Sequence, residues 1–215
     1  MKIFNEYNLE VREELITQAS TNLPLSSIAV FTSSVLMSFA LRDVSSSKEI
    51  LLWISLLTVV LILRNVEAYS YLKHSSKKSL NVAERRFKFY ALVTSVVISA
   101  GLVILFPYQE PLHQAFLLMV IAGLSAGAVM SLAVYKDLTV LYLFILLLPF
   151  TYILSMQGAT IYLLISILIV LFLSMLIIFV KKHHDSIVSI ITSRLALEQT
   201  QKELLHSQNR FHAIF

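Results

Sequence analysis

Cysteine is absent, and only four glycines, four prolines and one tryptophan occur in 215 residues. Without thiols there is no disulfide, no thiolate zinc site and no cysteine-held iron–sulfur cluster. That absence carries no information about redox compartment. Charge is the next scarcity. Only 14% of the residues are Asp, Glu, Lys or Arg, against about 25% in an ordinary soluble domain. Between Phe89 and Val180 the charged residues are Glu110, Lys136 and Asp137 alone. A soluble fold needs a charged surface over its core, so a soluble enzyme is excluded. A hydrophobic content of 57% equally excludes a disordered chain. The mean hydropathy of +0.79 belongs to an integral membrane protein.

Chemistry-bearing patterns are also missing. There is no phosphate-binding glycine loop, no nucleophile–base arrangement and no metal motif. The sequence therefore predicts no catalytic residue, no cofactor and no metal, and a chain that is not itself an enzyme. No acidic residue lies deep in an apolar run, which argues against a proton-coupled transporter.

What is present is a set of long apolar runs. A spanning helix needs about 20 apolar residues, because the hydrocarbon layer is about 30 Å thick. Six runs qualify: 25–41, 50–69, 89–106, 114–134, 138–156 and 161–180. They are too long and too unbroken for barrel strands. The expected fold is all-α: an integral membrane six-helix bundle with a C-terminal cytoplasmic coiled-coil helix. Pro24 is expected in the first turn of span one, after Thr21 and Asn22 as caps. Residues 1–22 carry Glu6, Glu10, Glu13 and Glu14 and lack the apolar core of a secretory signal. Val11, Leu15 and Ile16 there predict a short amphipathic helix on the inner membrane surface.

Orientation follows from the cations. Of 17 Lys and Arg, only Arg42 and Lys48 fall on the side opposite the termini. The positive-inside rule then puts both termini in the cytoplasm. The outer loops are short, so no large polar ligand has an external domain to bind. The basic stretch from Lys73 to Lys88 carries no nucleic-acid signature and suits anionic lipid.

Several residues stand out. Gly123 and Gly127 form a GxxxG stripe extended by Ser131, which predicts close approach of another helix, foremost one within the bundle. Pro149 removes a backbone hydrogen bond and predicts a kink in span five, with Thr151 or Tyr152 near the freed carbonyl. Arg64 and Glu67, three residues apart, predict an interfacial pair with Arg64 snorkelling outward. His74, His183 and His184 read as interfacial cations rather than ligands. Adjacent histidines on a helix point about 100° apart. His113 lies near Glu110 and is a candidate for titration from outside.

After Val180 the composition changes. Lys181-Lys182-His183-His184-Asp185 marks the membrane exit, and residues 181–215 contain no Gly or Pro. Ile190, Leu197, Leu204 and Phe211 recur every seven residues at d-like positions. Ile187, Arg194, Gln201 and Gln208 hold the facing a-like positions. The pattern predicts a signalling helix over 182–208 that pairs in a parallel homodimer.

Residues 208–215, with Arg210-Phe211-x-x-x-Phe215, resemble the entry to a PAS domain. A second resemblance spans most of the chain. Its residues are Trp53 and Arg64, Ala100-Gly101 through Phe106-Pro107, Ala122-Gly123 through Ala126-Gly127, and Leu148-Pro149. They resemble the six-span N-terminal membrane domains of bacterial sensor histidine kinases and of GGDEF or GGDEF-EAL cyclic-di-GMP enzymes. That pattern often has a Trp before the span-three glycine, where this chain has Ala100. The resemblance implies a membrane sensory or anchoring module over 23–181, reporting to a cytoplasmic output domain. It implies that this chain is a piece of a signalling enzyme, with 209–215 opening a PAS-like domain. Membrane lipids and a lipophilic or small-molecule stimulus are the expected partners. A passive dimeric anchor and a small transporter or channel remain as alternatives.

Overall fold

The computed structural model describes residues 9–73 and 80–212, with side chains as far as Leu205. His74, Lys77, Lys78 and the C-terminal residues 213–215 lie outside the described residues, as do the side chains of Gln208, Arg210 and Phe211. Among the described residues six helices carry the fold: α1 Leu9–Ala40, α2 Ser47–Lys73, α3 Leu80–Ile104, α4 Pro111–Leu132, α5 Lys136–Ser155 and α6 Thr160–His212. Each is long and apolar enough to cross a bilayer, which fits a multi-pass membrane bundle. Leucines and isoleucines face outward all along it, as lipid requires and water forbids.

Neighbours in sequence are not always neighbours in space. The pairs α1–α2, α2–α3, α4–α5 and α5–α6 pack, but α3 packs on α5 rather than α4. Helix α4 instead lies against α1, α5 and α6. With six antiparallel passes, both described ends lie at one end of the bundle, called here the charged end. The opposite, far end carries the loops around residues 41–46, 105–110 and 156–159.

Local chemistry holds the turns. Gln114 Nε2 donates to the Pro107 carbonyl at 2.9 Å across the α3–α4 loop. Thr139 Oγ1 donates to the Leu132 carbonyl at 2.6 Å, satisfying the end of α4 and closing the α4–α5 hairpin. Gly158 turns the chain between α5 and α6 at φ 77°, a conformation that costs other residues strain.

Two expectations about helix ends are corrected. Pro24 does not open a helix; it lies inside α1. The N-terminal segment is not a separate surface helix either. Val11, Leu15, Ile16 and Leu23 are buried in the bundle as part of one continuous α1. An internal proline costs about 3 kcal/mol, whereas each buried Val, Leu or Ile contributes about 1.5–3 kcal/mol, so burial carries the helix through the proline. Helices α3 and α6 likewise run past their apolar spans at the charged end. There, an extra layer of packed helix stands beyond the spans.

Candidate functional site

The charged-end layer is tied by ion pairs. Glu84 of α3 is buried and receives Arg12 of α1 in a fork, at 3.2 Å from Nε and 3.0 Å from Nη2. Arg12 Nη2 also donates to Asn81 Oδ1 at 2.8 Å. Lys88 Nζ lies 3.7 Å from the same carboxylate and 4.4 Å from the centre of the Tyr135 ring. At the rim, Arg194 of α6 reaches Glu14 of α1 at 3.4 Å and Glu198 at 3.2 Å. His184 is buried, with Nδ1 2.9 Å from the Ala133 carbonyl. It is therefore a joint between α6 and the end of α4, not an exposed interfacial cation.

Arg64 and Glu67 do not form the expected pair. Glu67 is engaged by Arg86 Nη1 of α3 at 2.9 Å. Arg64 turns inward and is only 4% exposed. Its Nη2 donates to Ser26 Oγ of α1 at 3.3 Å, a long contact, and its Nε has no partner. Among the described residues no carboxylate lies within 4.0 Å of it. The reason is position. Arg86 arrives from a neighbouring helix at the rim and takes Glu67. Arg64 is one turn deeper, below the layer where acids are found.

Arg64 also borders empty space. A cavity of about 160 Å³ lies on the charged-end side, against Ser20, Glu67, Tyr71 and Arg86. A second, of about 120 Å³, runs between α1 and α4 and is walled by Ser26, Ser33, Gly123, Gly127, Ser131 and Tyr142. Gly123 and Gly127 are exposed, and a Cβ at either would touch nothing within 4 Å. The stripe expected to receive a helix of the same chain thus receives none. Helix α1 stands off at that level and leaves a groove open to the surroundings. Ser131 Oγ is turned back onto the Gly127 carbonyl at 2.9 Å.

The close helix approach occurs elsewhere, between α2 and α3. A Cβ at Gly101 would fall inside the Trp53 indole. The indole Nε1 donates to the Val97 carbonyl at 2.8 Å. Gly101 stands alone without a GxxxG spacing, so its use was visible only as one small residue opposite a large one. The Arg12–Glu84 contact bridges residues 72 positions apart and had no sequence signal.

Pro149 lies inside α5 as expected. Thr151 Oγ1 bonds to the Leu147 carbonyl at 2.8 Å. It therefore does not serve Ile145, whose carbonyl the proline frees. Next to it, Phe150 is buried and meets Phe106 edge-on at 5.8 Å between centroids. His113 Nδ1 lies 3.6 Å from Glu110 Oε2 at the far end.

Helix α6 divides the predicted seam. Ile187 is buried at 9% exposure and joins Ile191 on the face packed against the bundle. It is therefore not available to a second chain, because that face is turned into the bundle. Ile190, Leu197 and Leu204 are 65%, 60% and 58% exposed along the outer face. Phe211 continues the spacing but lies outside the described side chains. Among the described residues, no group of three or more metal-ligating side chains forms.

No family model, curated protein or solved structure matches this chain.

Proposed function

We propose that this chain is a membrane sensory or anchoring module that passes a signal through α6 to a cytoplasmic output domain. The output of first choice is a diguanylate cyclase or phosphodiesterase, and the next is a histidine kinase. In this reading the protein resides in the bacterial inner membrane with both termini in the cytoplasm. The concentration of Lys and Arg at the charged end supports that orientation.

The observation that carries the reading is the outer face of α6. The helix is unbroken for 53 residues. Between Val180 and Leu195 its inner face is spent on the bundle, and from Ala196 to Leu205 every residue is exposed; Ile190, Leu197 and Leu204 carry a seven-residue repeat across both stretches. Such a repeat on a polar helix suits a parallel partner helix. Because the same stretch touches α1 and the end of α4, a repacking of the bundle would move the seam.

The lack of cysteine makes the test clean. Single cysteines at Leu197 or Leu204 should cross-link between copies in native membranes, and cysteines at Thr192 or Gln199, on the opposite side of the helix, should cross-link far less. Equal cross-linking at all four positions would remove the dimer helix. With a cyclase or kinase core joined after Phe215, inserting one to four residues near Ser193 should change output with helical periodicity. Output indifferent to every insertion, and to replacement of the six spans by an unrelated dimeric anchor, would leave the passive anchor in its place.

A further inference from the structure

We propose that Arg64 and the α1–α4 groove form a binding site for an acidic amphiphile: an acyl chain with a carboxylate or phosphate head. This deepens the sensory reading by naming a class of stimulus, and it is tested by binding rather than by output.

Two independent observations meet at this place. The first is the guanidinium. Arg64 is 4% exposed, and its Nε is unpartnered. Among the described residues its one hydrogen bond is a 3.3 Å contact to a serine. A guanidinium carries five donors and is built to receive an oxyanion on two of them. An arginine inside a membrane span costs about 2.5–3.5 kcal/mol on insertion scales, so a lone cation there gains most from an anionic partner. The protein supplies carboxylates to two other arginines at the charged end. Arg12 has Glu84 and Arg86 has Glu67.

The second observation is the groove. Arg64 forms part of its wall, beside Ser26. The helix directions place Ser26 and Ser131 at the groove's charged end, and Ser33 and Gly123 toward the far end. Ser26 to Ser33 is about 10 Å of helix rise. The floor between them is glycine, with nothing where a Cβ would stand. Gly123 and Gly127 are exposed to the bundle's surroundings, so the groove opens sideways into lipid. A head group seated on Arg64 and Ser26 would lie one helical turn below the Glu67–Arg86 pair. Its chain would then run along the glycines. A free hydrophilic anion has no use for that apolar run.

The experiment uses the full chain in nanodiscs of phosphatidylcholine alone, of phosphatidylcholine with phosphatidylglycerol, or of phosphatidylcholine with oleate. Native mass spectrometry reads the amphiphile retained after detergent release. Wild-type protein should retain one equivalent of the acidic amphiphile, at least tenfold over phosphatidylcholine. The arm that shows it separates a phospholipid phosphate from a fatty-acid carboxylate. Arg64→Gln should abolish the selectivity, and Arg64→Lys should restore part of it. Gly127→Leu should fill the groove and also abolish retention, while its melting temperature in phosphatidylcholine stays at the wild-type value. Retention that is unchanged in both Arg64→Gln and Gly127→Leu overturns the site. So does the absence of selective retention in either acidic arm. Neither result bears on the α6 cross-links, so the two readings fail separately.

Discussion

Arg12 and Arg64 are both largely buried, both near the charged end, and are served in opposite ways. Arg12 ends on α1 in a fork with Glu84, with Asn81 completing its contacts. Arg64 ends on α2 with one long serine contact and an unpartnered Nε, between two cavities. The first arrangement fastens helices. Removing Glu84 would take the only carboxylate from Arg12 among the described residues, while removing Arg12 would leave Glu84 with Lys88 at 3.7 Å. The second fastens little and leaves donors in hand. The difference teaches that a buried cation in this bundle is structural only where another helix delivers an acid to it.

The two small-residue contacts divide in the same way. Gly101 is occupied by the Trp53 indole, and Gly127 by nothing. One glycine is a packing device and the other is floor space.

The sharpest way to break the comparison is at Glu84. Glu84→Ala removes the carboxylate onto which Arg12 forks, and removal of one partner of a buried pair costs about 3–5 kcal/mol. The apparent melting temperature in detergent should fall steeply. Arg64→Gln in the same assay, free of acidic amphiphile, should stay within about 1 kcal/mol of wild type, because it removes a charge that holds no ion pair. If the two variants melt alike, the distinction between the arginines is lost.

A smaller effect separates the glycines. Gly101→Leu forces the Trp53 ring and its hydrogen bond to move, an overpacking cost of about 1–3 kcal/mol. Gly127→Ala, into open space, should fall within about 0.5 kcal/mol of wild type. Denaturation in SDS titration checks both. The smallest effect is expected at the rim. Arg194 is an exposed bridge to Glu14 and Glu198. Arg194→Ala should cost at most about 1 kcal/mol, and less still at high salt.

Much of this architecture was legible in the chain. Six apolar runs gave six helices, and Pro149 fell inside α5 as read. The readings that changed share a cause. Pro24, the Val11–Ile16 segment, Ile187 and His184 were assigned by local chemistry, and each is governed by what packs on it. The three-residue spacing of Arg64 and Glu67 correctly placed them near each other on a helix. It gave no account of Arg86, which arrives from α3 and takes the carboxylate. The GxxxG spacing identified a helix surface able to accept a neighbour, and the neighbour stands elsewhere.

By itself, then, the sequence determined that the chain belongs in a bilayer, how many helices it forms and where its charge collects. Those properties depend on apolar length and on the cost of desolvating charge, and both are local sums along the chain. Only the tertiary structure decided which cation meets which acid, which glycine is filled and which face of α6 is left outward. Those outcomes depend on neighbours from distant helices. Here α3 bypasses α4 to pack on α5, and α1 stands away from the glycines of α4. That standing-off is what leaves Arg64 beside a groove instead of an acid.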